Sequence, residues 1–348
     1  MTNPSSPVRR LQRLAFIAGI AALGISSLAG PARAAQTAAA ITYDYTARPA
    51  GLPAAFVADP GESLRFLSIK AIDGYPVQAA LWQPAGKPVA TTTIIIGSHG
   101  SGANYQGNPQ GFLAKGLALK GYAFLSIDNR AHDGAVNTEN FYEIARDIDA
   151  AVYTARALGY KTLVLEGHSL GTVHMAFYAA NNWAPDIKAA LLLSPFSNLP
   201  WKSRNVLIQD DSGYAQLTNE SLAALRAGTA QNVLPDKMGY FTGEKVPVSG
   251  RHFLTYRDET TSTADTTYWI KRVPYPTLLV RDQADGVILP WEPYEILSAA
   301  HTPGALVPSI RYVIVPDKHP PSIEGHEYAN SQQSLIDTVA AYLADVLH

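Results

Sequence analysis

The run Leu163-Val164-Leu165 passes through Gly167-His168-Ser169-Leu170-Gly171 into a helical pattern, and no other feature restricts the fold of this chain as tightly. An apolar strand that turns at once into a helix, with glycines on both sides of one serine, implies a turn too tight for neighbouring side chains. Such a turn lifts Ser169 above the end of a sheet, with a helix N-terminus behind it that favours developing negative charge. A glycine-rich turn with an ordinary N-cap serine has the same pattern locally, so the rest of the chain must decide between the two.

Around this turn, strand and helix patterns alternate. Residues 64–70 and 75–82 read as a hairpin about Asp73-Gly74, and the continuous apolar run at 91–96 reads as a buried parallel strand. There follow a helix at 109–120, a strand at 122–127, a helix at 141–158, a strand at 162–165, a helix at 170–181 and a strand at 187–194. Phe141, Ile144, Ile148, Ala151, Val152 and Ala155 recur at helical spacing. After an irregular stretch from about 195 to 267 the alternation resumes with a strand at 276–281, a helix at 291–300, a strand at 311–315 and a helix at 328–347. The expected fold is α/β, a mostly parallel sheet with helices on both faces. The irregular stretch is too long for a plain loop and reads as a functional insertion after the sixth strand.

The first 34 residues obey other rules. Arg9, Arg10 and Arg13 precede an apolar run at 14–30, and Ala32-Arg33-Ala34 closes the segment. This order reads as a cleaved export signal and predicts a secreted or periplasmic protein. The run is shorter than the ~20 residues that a stable membrane span needs. Arg9-Arg10 matches a twin-arginine signal only loosely. Residues 35–60 read as an extended lead-in, and 61–348 as the folded domain.

A serine hydroxyl needs a base, and the base needs an orienting carboxylate. Downstream, Arg281-Asp282-Gln283-Ala284-Asp285-Gly286 leaves a strand and offers two acids. Asp285 is preferred to Asp282 because it stands further past the strand end. The loop from Asp317 to Glu327 offers His319 and His326. His326 is preferred because it follows Gly325 and opens the last helix, whereas Pro320 constrains His319. For the oxyanion, Leu170 offers one backbone N–H, and the glycine-rich Gly97-Ser98-His99-Gly100-Ser101-Gly102 offers a second at Ser101.

Taken in order, the His99-Gly100 loop, Asp128-Asn129-Arg130, Gly167-His168-Ser169-Leu170-Gly171, the Asp285 loop and Gly325-His326 resemble the α/β-hydrolase family, in its serine esterase and lipase-like branch. The resemblance covers nearly all of the chain after the signal. It implies Ser169 as nucleophile, His326 as base, Asp285 as acid, and a lid formed by 195–267. Two departures stand out: Ala131-His132-Asp133-Gly134 replaces the family's usual glycine pattern after the fourth strand, and Asp282 stands where the acid loop often has glycine.

Composition narrows the function further. With no cysteine, thiol catalysis, disulfides and Cys-ligated metal are excluded. A net charge of -2 supplies no field for nucleic acid. No metal-ligand spacing or phosphate-binding motif is present, so no metal or cofactor is expected. Asp128 and Arg130 read as loop braces, His174 as a packed helix residue and His99 as an orienting residue of the oxyanion loop. Tyr214, Tyr240, Phe241, Phe253, Tyr256 and Trp269 in and beside the insertion suit a small, partly apolar ester substrate. The same triad serves peptidases, thioesterases and lactonases. A non-catalytic binding protein on this fold is the alternative, against which the complete set of nucleophile, acid and base argues.

Overall fold

The computed structural model describes residues 41–54, 56–134 and 137–347; the export signal read at 1–34 lies outside them. The chain opens with β1 (Thr42–Thr46), β2 (Glu62–Lys70), β3 (Pro76–Pro84) and β4 (Thr93–Ser98), then α1 (Gln110–Leu119) and β5 (Ala123–Ile127). It continues through α2 (Ile144–Ala157), β6 (Thr162–His168), α3 (Leu170–Asn181) and β7 (Ile187–Leu193). In the insertion come α4 (Asp211–Arg226) and a small ribbon of β8 (Met238–Gly239) and β9 (Lys245–Val246). Then follow β10 (Thr277–Asp282), α5 (Glu292–Ala300), β11 (Ile310–Val315) and α6 (Gln332–Val346).

Nine strands form one sheet in the order β1-β2-β3-β5-β4-β6-β7-β10-β11. The pairs from β1 through β3 to β5 are antiparallel, and all pairs from β5 to β11 are parallel. β1 was not expected, because 35–60 reads as lead-in. It is a mostly exposed edge strand whose pairing with β2 supplies the order that its composition does not. With β1 counted, the insertion follows the seventh strand of the described chain.

Strand periodicity sends alternate residues to opposite faces. Leu163 and Leu165 of β6 join one core with Ile144, Ile148 and Val152 of α2 and Val173 of α3. Val164 joins the other, with Leu113 and Leu117 of α1 and Leu335, Val339 and Leu343 of α6. Helices therefore cover both faces, and the parallel strands bring their C-terminal ends to a single edge. Ligands of open α/β sheets bind at this edge.

The insertion has a small core of its own, including Tyr214, Leu217, Met238, Val248 and Phe253. Its two ends are pinned together where Asn198 Nδ2 donates to Asp265 Oδ2 at 2.9 Å and Thr266 N donates to Ser197 O at 2.7 Å. Among the described residues, no helix is long and apolar enough to cross a membrane.

Candidate active site

Ser169 occupies the junction between β6 and α3 with φ 53° and ψ −120°, a conformation that L-residues rarely adopt. Gly167 and Gly171 make the junction possible. A Cβ on Gly167 would lie 2.2 Å from Gly171 O, and one on Gly171 would lie 2.2 Å from Ser98 O. Backbone atoms of the adjoining helix and of β4 occupy those places and cannot give way. The serine is 6% exposed and opens into a cavity of about 80 Å³, which is also lined by Gly100, Ser101, Tyr240, Phe241, Val287 and His326.

Asp285 and His326 come together from different loops. His326 Nδ1 stands 3.1 Å from both carboxylate oxygens of Asp285. The ionised carboxylate accepts, so Nδ1 donates to it, which leaves Nε2 as the nitrogen away from Asp285. Burial would raise the Asp285 pKa, but His326 and the N–H groups of Ile288 and Val287 outweigh it and hold the carboxyl at about 2. Arg281 ties the loop in place by donating to the carbonyls of Asp285 and Ile288. Gly286 N and Ser322 N exchange hydrogen bonds with Ser322 O and Ala284 O, which binds the acid loop to the histidine loop.

His326 closes the one-turn helix Ile323–His326, capped by Ser322, and does not open the final helix, which starts at Gln332. Its carbonyl accepts from His168 Nε2 at 2.9 Å and from Ser194 Oγ at 3.2 Å. His168, beside Ser169, thus holds the His326 backbone. Burial first, and then His326, push the His168 pKa down to about 3, so it does this work uncharged. In the sequence nothing marks His168 for this role beyond its being a histidine next to Ser169. Ser169 and His326 line the same cavity without a direct hydrogen bond between them.

The alternatives have other work. Asp282 accepts from Ala284 N at 2.7 Å and pairs with Ser331 Oγ, so it shapes the loop. His319 has a side chain 62% exposed and rests on Asp317. The backbone N–H groups of Ser101 and Leu170 have no partner among the described residues, while Ser101 O accepts from Tyr240 OH at 3.3 Å. The fully buried His99 bonds through Nδ1 to Gly100 O at 2.7 Å. Arg130 is bound to Asp147 and Asp73, and Asp128 Oδ1 accepts from Tyr105 N, so both brace loops. His174 is buried against Tyr256 OH.

Among the described residues, one cluster has metal-ligand geometry: Asp128, His132 and Asp133 can each offer a ligand atom within 4.8 Å of the others. Asp128 Oδ1 accepts from Tyr105 N, Asp133 Oδ1 accepts from Asn104 Nδ2, and His132 Nδ1 stands 3.1 Å from Asp133 Oδ2. A larger depression of about 550 Å³ lies on the insertion among Leu207, Leu217 and Lys237, but no serine or histidine lines it.

The chain is similar to several solved structures. Est1E from Butyrivibrio proteoclasticus, solved with ferulic acid bound, is 20% identical over 79% of this chain and 97% of its own, with a TM-score of 0.58. DcsB, solved with a substrate analogue, is 16% identical over 82% of this chain and 100% of its own, with a TM-score of 0.60. The esterase domain of a Rhodothermus marinus protein is 15% identical over 82% of this chain and 100% of its own, with a TM-score of 0.54. At such identities the likeness speaks for the fold alone. No curated protein matches the chain. A family model described as the alpha/beta hydrolase fold matches residues 94–326, well over half the length, and the chain belongs to that family.

Proposed function

We propose that the chain is a serine hydrolase acting on carboxylic esters. The observation that carries this reading is His326, held by Asp285, opening into the same cavity as Ser169 on its strained turn. Ser169 Oγ attacks the acyl carbonyl as His326 Nε2 takes its proton, and Asp285 holds the imidazolium that forms. The Ser101 and Leu170 N–H groups receive the oxyanion. His326 then returns the proton to the leaving alcohol, and water, activated in the same way, releases the acyl group.

The cavity favours a small, uncharged acyl group. Its volume is only about 80 Å³, and no lysine or arginine lines it. The insertion serves as a lid, contributing Tyr240, Phe241 and Thr242 to the wall over the serine. Export through the segment at 1–34 completes the proposal, and N-terminal sequencing of protein recovered from outside the cytoplasm tests it.

The function itself is tested with a fluorophosphonate probe on folded protein lacking residues 1–34. Labelling of Ser169, with turnover of p-nitrophenyl acetate, is expected. No labelling overturns the hydrolase reading and leaves a binding protein on this fold.

A further inference from the structure

Behind the cavity lies a charge pair that no motif marks. Lys202, from the first turn of the insertion, and Glu292, at the start of α5, form an ion pair with both side chains 1% exposed. Lys202 Nζ also donates to Val287 O at 2.6 Å, and it stands 4.7 Å from the centre of the Phe196 ring and 5.9 Å from that of Phe241. Glu292 accepts from Leu289 N at 2.7 Å and from Ser197 N at 3.3 Å. The pair therefore joins four parts of the site: the insertion, the acid loop, the exit of β7 and the aromatic wall.

The contact at Val287 has the most direct consequence. Its carbonyl is held by Lys202, while its N–H donates to Asp285 Oδ1 at 2.8 Å. One residue thus separates the lysine ammonium from the carboxylate that orients His326. The Phe241 ring faces the same ammonium and lines the cavity, stacked on Phe196 at 5.3 Å between ring centres. A buried ion pair is a poor source of stability, because an apolar pair of similar volume packs as well or better. What it provides is direction, since an ammonium fixes its acceptors where an apolar side chain would let them slide.

We propose that Lys202 and Glu292 are positioning residues, which lock the Asp285 loop and the Phe196–Phe241 wall in register so that acid and acyl wall keep their places about Ser169. The proposal rests on the serine hydrolase reading.

The test uses the chain without residues 1–34, comparing wild type with the charge-free double variant Lys202→Met/Glu292→Leu. Removing both charges leaves none buried alone, so the fold is expected to persist with Tm equal to or above wild type. Turnover of p-nitrophenyl acetate is expected to lose roughly 10²-fold in kcat with KM within about twofold, as misplacement of supporting groups does. Fluorophosphonate labelling of Ser169 should slow in parallel. A folded double variant with wild-type kcat, or a loss of kcat that only tracks a loss of Tm, overturns the proposal. If the double variant does not fold, Lys202→Arg carries the test. It keeps the charge but displaces the bond to Val287, and a drop of about tenfold in kcat at unchanged Tm is expected. Wild-type kcat in that variant overturns the proposal. Failure of the hydrolase reading is distinguishable, because wild-type Ser169 would then not label at all.

Discussion

His326 Nδ1 stands 3.1 Å from each carboxylate oxygen of Asp285, and the same carboxylate accepts from two backbone N–H groups of its own loop. Four contacts hold this acid in one orientation and fix which nitrogen of the imidazole is free. Asp285→Asn keeps the shape but no longer enforces that tautomer, and kcat for p-nitrophenyl acetate is expected to fall on the order of 10⁴-fold. Asp282→Asn and His319→Ala should retain most of the activity, since Asp282 binds Ala284 N and Ser331, and His319 rests on Asp317 near solvent. The reverse ranking would reassign both roles.

The pairing of Asp285 with His326 was readable because each lies in the loop that leaves a parallel strand, Asp285 after β10 and His326 after β11, and parallel strands gather their ends at one edge. The core of the sheet was readable because Ile94–Ile96 of β4 and Leu163–Leu165 of β6 are apolar runs buried on both faces. β1 was not, because its Thr-Tyr-Asp-Tyr-Thr is mostly exposed and forms a strand only through β2. Nor was α4, which buries only Tyr214, Leu217 and Ser221, too narrow a stripe to show as a period. Lys202 and Glu292 lie 90 residues apart with no local pattern between them, so only the folded chain brings them together.

Glu166 predicts a dependence of stability on pH. It is fully buried on β6 with Gln110 Nε2 as its partner, and burial lifts its pKa from 4.5 to about 8 in spite of that bond. Below pH 4.5 it is protonated in both folded and unfolded chains and costs nothing. Between 4.5 and 8 the unfolded chain ionises and the folded one does not, so stability declines as pH rises through that window. Glu166→Gln removes the ionisation while still accepting from Gln110. It should be more stable than wild type by about 3 kcal/mol at pH 7, with the difference vanishing near pH 4.5. Urea unfolding at both pH values measures this, and an equal difference at the two would refute it.

Arg130 predicts a loss on truncation. Its guanidinium meets Asp147 at 2.8 Å and Asp73 at 3.0 Å, and the Asp147 side chain is wholly buried. Arg130→Met strands that carboxylate without its partner and is expected to cost about 3–5 kcal/mol. Arg130→Met/Asp147→Leu should recover much of the loss, because no buried charge is then left unpaired. Denaturant unfolding of both variants checks the ordering, and a double variant weaker than the single one would contradict it.

Phe241 predicts acyl selectivity. Its ring closes one side of the cavity of about 80 Å³ over Ser169 and is backed by Phe196, so a longer acyl chain meets an aromatic wall. Each methylene that a pocket accepts or rejects is worth roughly 1–3 kcal/mol in kcat/KM, so a wall that stops a chain after two or three carbons leaves a steep profile across p-nitrophenyl acetate, butyrate and hexanoate. Phe241→Ala removes the wall without touching Ser169, Asp285 or His326. The ratio of hexanoate to acetate kcat/KM is therefore expected to rise by about tenfold or more, with acetate turnover nearly unchanged. If the ratio stays at its wild-type value, the acyl group occupies another side of the cavity and Tyr240, which bonds to Ser101 O, becomes the side chain to truncate.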